Sequence, residues 1–197
     1  MLNILHLIYL MKTIKGFGYL LGFEKSFVDE YGEDVYTNKI DEELEENMNV
    51  LISACLLGIN CRYDGGENLI KGIEKLKERY NLIPVCPEIF GGLSTPREPA
   101  EIIDGKVINR RGEDVTENFV KGAKETLYLA KLFNCKYAIL KERSPSCGYG
   151  KIYDGTFSGK LVDGNGITAE LLAKNGIEII GESQIDKLLN GYSHKGE

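Results

Sequence analysis

A chain of 197 residues, 43% hydrophobic and 27% charged, has the composition of one globular domain with a proper core and room for an appendage. No apolar run approaches the ~20 residues that span a bilayer, and the opening MLNILHLIYLM lacks the basic leader and small-residue site of a secretory signal, so no membrane partner is expected. The net charge of −6 lies entirely in residues 1–47, with ten acids against four lysines, and the neutral remainder holds no basic stripe for a nucleic acid polymer.

Residues 1–47 end in DEELEEN, and regular patterning begins only at Met48. Two readings of this segment stand. One is a misassigned upstream extension with Met48 as the natural start, since Glu45-Glu46 can be written GAGGAG, a ribosome-binding sequence. The other is a short helical arm around FEKSFVDEY. The expected domains are thus 1–47, an extension, and 48–197, a single α/β domain.

From Met48 the pattern alternates. NVLISA (49–54) reads as a strand, and ENLIKGIEKLKERY (67–80) as an amphipathic helix with Leu69, Ile73, Leu76 and Tyr80 on one face. LIPVC (82–86) is a second strand. EIIDGKVINRR (101–111) has an Asp-Gly turn between β-prone arms and suits a hairpin. DVTENFVKGAKETLYLAKLF (114–133) is the strongest helix, with Thr116 as the expected N-cap. KYAILK (136–141) is a third strand, GITAELLAKNG (166–176) a helix closed by Gly176, IEII (177–180) a fourth strand and SQIDKLLN a last helix. Such alternation predicts a mainly parallel sheet between two helical layers, a Rossmann-like or flavodoxin-like three-layer sandwich.

Five cysteines, an odd count without an export signal, favour reduced thiols in the cytoplasm and metal or catalytic use over disulfides. Cys55 follows the first strand, Cys86 closes the second, and Cys147 lies a short loop beyond the third, in ERSPSCGYG. In a parallel sheet these ends share one edge, where strands ~4.8 Å apart let three residues converge on one object. Zinc suits them poorly: there is no C-x₂-C pair, and the two histidines are His6, in the first segment, and His194, in the tail. A [4Fe–4S] cluster is held by thiolates, and three of them leave one iron open as a Lewis acid. Cys135, at a helix-to-strand junction, reads as core. Cys61, six residues after Cys55, stays open between a fourth ligand, a protective thiol and a bystander.

SACLLGINCRYDGG, PVCPEIFGGLSTPREPAEI, G-x-DVT-x-x-F-x-x-GA, AILKERSPSCG and IYDGTFSG together resemble the thiouracil desulfidase family over about Met48 to Glu182. The resemblance implies a [4Fe–4S] cluster on Cys55, Cys86 and Cys147, with one iron open, and removal of sulfur from thiolated uracil bases or nucleotides by hydrolysis with release of hydrogen sulfide. It also implies sensitivity to oxygen and supply of the cluster by the iron–sulfur assembly machinery. On that chemistry Glu88, two residues after Cys86, is the candidate for proton transfer, and Ser144, three before Cys147, the candidate for orienting water; Ser146 is its substitute. Arg62, Arg97 and Arg143, in the loops that carry the cysteines, suit a phosphate or a pyrimidine carbonyl, and the Gly91-Gly92 turn lets backbone approach a base. Two competing readings keep the cysteines and change what they do. One is sulfur transfer to another substrate, and the other is a non-enzymatic sensor that binds a cluster or a nucleotide.

Overall fold

The runs VLI (50–52) and YAIL (137–140) are apolar throughout because those strands are covered on both faces. In the computed structural model the described residues are 48–189; residues 1–47, with the expected arm or extension, and 190–197 lie outside them. The elements run β1 (Met48–Ser53), α1 (Ile73–Arg79), β2 (Tyr80–Val85), α2 (Pro87–Phe90), β3 (Ala100–Ile103), β4 (Lys106–Asn109), α3 (Thr116–Leu132), β5 (Tyr137–Leu140), β6 (Lys151–Tyr153), β7 (Leu161–Asp163), α4 (Ile167–Lys174), β8 (Glu178–Gly181) and α5 (Asp186–Leu189). Four strands form one parallel sheet in the order β2-β1-β5-β8. The chain runs outward from β1 to β2, then crosses to β5 on the other side, so β1 and β5 flank the topological switch point of a flavodoxin-like, Rossmann-like sandwich.

Alternation along the strands sorts the core into two layers. Val50 and Ile52 of β1 and Tyr137 and Ile139 of β5 pack with Leu76 of α1 and Leu188 of α5. Leu51, Ala138 and Leu140 face the other way, against Ala130 of α3 and Ala169 and Leu172 of α4. Leu51, Ile52 and Ile139 are wholly buried, and each contributes about 1.5–3 kcal/mol by leaving water.

Local chemistry explains where the elements depart from expectation. The helix expected over 67–80 begins only at Ile73. Gly72 before it is left-handed (φ 84°), and the backbone N–H groups of Asn68 and Ile70 go to the carbonyls of Cys55 and Leu56. Leu69 is therefore 57% exposed rather than on a core face. Thr116 is not the N-cap of α3: its Oγ1 accepts from Val107 N (2.9 Å), and Asp114 Oδ1 takes the Thr116 N–H (3.0 Å). The Asp104-Gly105 turn of the β3–β4 hairpin has φ of 48° and 78°, the two positive angles of a type I′ turn. The β6–β7 hairpin and α2 are additions that three- and four-residue elements do not announce by periodicity.

Candidate functional site

The register of the sheet decides what meets at its edge. Ser53 lies opposite Val85, and Ile52 opposite both Pro84 and Ile139, so β1, β2 and β5 end level with one another. Cys55 sits in a 3-10 turn (Ala54–Leu57) directly after β1, ended by left-handed Gly58. Cys86 is the extended residue between β2 and α2, with Pro87 opening the helix. Cys147 lies in a turn after β5, where Ser144 Oγ accepts the N–H groups of Ser146 (3.0 Å) and Cys147 (3.2 Å), and Gly148 N donates to Ser144 O (2.8 Å). A Cβ on Gly148 would stand 2.7 Å from that same Ser144 oxygen, so SPSCG closes only with glycine in last place.

The thiols sense one another. Burial pushes the Cys147 thiol up; a hydrogen bond with Ser53 opposes this, and Cys55, Glu88 and Cys86 add to it. Burial likewise raises Cys55, offset by a hydrogen bond from Asn68, raised further by Cys86, then lowered by Lys141 and raised by Glu182. Cys61 is pushed up to about 12 by burial, then by Cys86 and Cys55, with Arg97 opposing. Four thiols thus share one neighbourhood at the switch point with charged groups of both signs. Cys135 shares the second core layer with Cys147 but sits just before β5 begins, at the opposite end of the strand.

Among the described residues no three Cys, His, Asp or Glu side chains converge closely enough for a single metal ion. A four-iron cube meets each thiolate through a different iron, so its ligands stand farther apart than those of one ion. A set of soft sulfur donors is the set such a cluster takes. Burial holds the Cys55 and Cys147 thiols neutral, and bound metal would replace their protons, so a donor set of Cys55, Cys86 and Cys147, all sulfur, fits the cluster.

The remaining sequence candidates fall in three groups. Glu88 and Arg97 form an ion pair (Nε–Oε2 2.6 Å) with side chains only 18% and 7% exposed. Both also line a cleft of about 440 Å³, with Leu93, Ser94, Glu98 and Arg111 among its walls, which no cysteine lines. Arg62 staples its own turn, pairing with Asp64 (2.9 Å) and donating to Asn68 Oδ1 (2.6 Å), whereas Arg143 is exposed with a positive φ of 66°. Ser146 is wholly buried, its Oγ 2.8 Å from Thr168 Oγ1 of α4. A Cβ on Gly91 would meet Asn118 O of α3 at 2.0 Å, so that glycine serves the α2–α3 contact, and Gly92 beside it takes the left-handed φ of 91°.

Sequence reasoning missed Ser53, Asn68, Lys141 and Glu182. Lys141 is the first residue after β5 and Glu182 the first after β8; Lys141 Nζ pairs with Glu182 Oε1, and Glu182 Oε2 accepts the Glu142 N–H. The strand-end argument that singles out the cysteines applies equally to these two.

The family model for 2-thiouracil desulfurase matches residues 50–184. Uncharacterized protein YbbK of Bacillus subtilis (strain 168) is 47% identical over 150 residues, covering 71% of this chain and 99% of that relative. The solved structure of the [4Fe-4S]-dependent thiouracil desulfidase TudS is similar at a TM-score of 0.68 and 41% identity, over 72% of this chain and 95% of the other.

Proposed function

The chain belongs to the 2-thiouracil desulfurase family, and from that premise we propose that it hydrolyses a thiolated uracil base or nucleotide, exchanging the thiocarbonyl sulfur for a water oxygen and releasing hydrogen sulfide. The reading is carried by one observation: Cys55, Cys86 and Cys147 follow three adjacent parallel strands at the switch point.

Cys55, Cys86 and Cys147 would hold a [4Fe–4S] cluster. When bound, it supplies a thiophilic iron with a vacant position, a Lewis acid that polarises a C=S bond. The chain's own groups do the rest. Glu88 takes the proton of the attacking water and passes it on toward the heterocycle. Its Oε2 is occupied by Arg97, and no described residue engages Oε1, which is the atom left to carry the proton. Ser144 Oγ accepts two backbone N–H groups, which fixes the oxygen and leaves the hydroxyl proton free to donate to the water or to developing charge. Exposed Arg143, Arg62 at the rim of its turn, and the backbone at Gly92 contact the parts of the substrate beyond the reacting carbon.

The test is anaerobic purification with iron and acid-labile sulfide analysis, followed by assay of 2-thiouracil and 4-thiouridine monophosphate for loss of thiocarbonyl absorbance and release of sulfide. Cluster incorporation with sulfide release that needs no sulfur acceptor is the expected result. Turnover that requires an acceptor would make the chain a sulfur transferase, and substrate binding without turnover would make it a sensor.

A further inference from the structure

Arg97 carries its charge almost sealed from solvent, with a side chain 7% exposed. As a substrate-binding arginine it should present a free fork, because a phosphate is gripped by two parallel N–H groups. Its guanidinium is instead turned into the protein. Nε donates to Glu88 Oε2 (2.6 Å), Nη1 to Ser94 O (3.2 Å) and Thr95 Oγ1 (3.1 Å), and Nη2 to Cys61 O (3.1 Å). These four bonds nearly exhaust the five donors of the group. The Arg97 backbone N–H is also held, by Tyr63 O at 2.7 Å.

The partners come from separate parts of the chain. Cys61 and Tyr63 belong to the loop that follows β1; Glu88 is in α2, just beyond β2; Ser94 and Thr95 belong to the loop after α2. The Cys61 carbonyl that accepts from Arg97 also accepts from Cys86 Sγ at 3.8 Å. That oxygen meets the Cys86 thiol only in the cluster-free protein, because a ligating thiolate has no S–H to give. What Arg97 keeps in either state is its own pair of bonds, to the Cys61 carbonyl and to the candidate proton carrier Glu88. A planar fork can bridge these partners at once; an ammonium on a flexible stem reaches only one or two of them.

We propose, resting on the desulfidase reading above, that Arg97 is a positioning residue: it locks Glu88 to the Cys61 turn and so fixes the carboxylate relative to Cys86, and it does not read a substrate phosphate. The other described arginine lining the same cleft, Arg111, is exposed and paired with Glu98 at 2.7 Å.

Wild type, Arg97→Lys, Arg97→Met, Glu88→Gln and the Glu88→Gln/Arg97→Met double variant are reconstituted anaerobically and assayed on 2-thiouracil and 4-thiouridine monophosphate. Misplacing the proton carrier should lower kcat of Arg97→Met about 100-fold, by the same factor on both compounds, with KM changed by no more than about two-fold. Arg97→Lys should recover part of that loss. The double variant should be no slower than Glu88→Gln alone, because the arginine acts through the carboxylate. A rise in KM confined to the nucleotide overturns the inference, as does a double variant slowed by the product of the two single losses. Failure of the wild type on both compounds condemns the desulfidase reading instead. The role of Arg97 is then judged on cluster-free protein, by the rate at which iodoacetamide alkylates Cys61. Losing a bond from a charged donor should let Arg97→Lys open and react about ten-fold faster than wild type, and an equal rate overturns the inference.

Discussion

A methyl group on Gly122 would stand 1.8 Å from the carbonyl oxygen of Pro87. The close approach presses α3 onto α2, the four-residue helix whose flanking and first-turn residues are Cys86 and Glu88. Gly122→Ala sets two effects against each other. Alanine gains about 1 kcal/mol of helix propensity at an interior position. Overpacking against backbone costs about 1–3 kcal/mol, and here the obstacle is a main-chain oxygen that cannot rotate away. We expect the clash to win: a net loss of stability in urea unfolding together with reduced iron retention. A variant as stable as wild type, with full iron content, would show that this contact does not hold the Cys86 segment.

Ser53 is the last residue of β1 and only 2% exposed. Its Oγ accepts the Lys141 N–H at 2.9 Å, so one hydroxyl joins the ends of β1 and β5. Ser53→Ala leaves a part-buried backbone N–H without its acceptor and should cost about 1 kcal/mol, more than a surface substitution. Denaturant unfolding of the cluster-free variant measures this. A loss below about 0.5 kcal/mol would mean that water or backbone movement replaces the hydroxyl.

Asp114 predicts an acid limb. The Thr116 hydroxyl, the Thr116 backbone N–H and then Lys106 hold its carboxyl down from 3.8 to about 2. The folded state therefore binds this proton less readily than the unfolded chain. The resulting stability is present above the unfolded value and is lost as pH falls through about 2. The difference in urea midpoint between wild type and Asp114→Asn should be constant from neutral pH down to roughly pH 4.5 and shrink toward zero near pH 2. A difference that persists unchanged at pH 2 would rule out the carboxylate as its source.

Much of this fold was legible because strand and helix signals alternate at the right lengths. The four sheet strands, the Asp-Gly hairpin and α3 come from hydrophobic runs and turn chemistry that act locally. The first helix was misread because Leu69 keeps the 3.6-residue period with Ile73 and Leu76, while the two N–H groups of Asn68 and Ile70 are captured by the turn after β1. Periodicity cannot register a competing partner distant in the chain. The same limit applies at the site. The three candidate cysteines are proposed from their place after strands and Arg97 from its place in a loop that carries one of them, but loop placement cannot say which way a guanidinium fork turns. Ser146 in SPSCG looks as available as Ser144 until α4 brings Thr168 to its hydroxyl.

The cysteines divide by position, and substitution should divide them by behaviour. Cys55, Cys86 and Cys147 lie at the C-terminal edge of β1, β2 and β5, so loss of any one removes a third of the proposed ligand set. Cys55→Ala, Cys86→Ala and Cys147→Ala should each abolish cluster absorbance and turnover, because three thiolates leave no ligand to spare. Cys135 precedes β5 while Cys147 follows it, so it lies at the opposite end of the strand although both belong to one core layer. Cys135→Ala should keep iron at the wild-type level and cost only packing, at the low end for a small side chain. Cys61 is the informative case. It is buried beside Cys86 and Cys55, yet the part that structure ties down is its carbonyl, which alanine retains. Cys61→Ala should therefore keep both cluster and activity. Iron and acid-labile sulfide content of the five anaerobically purified variants decides it: if Cys61→Ala alone lost its iron, the three-ligand assignment would give way to one in which Cys61 holds the metal.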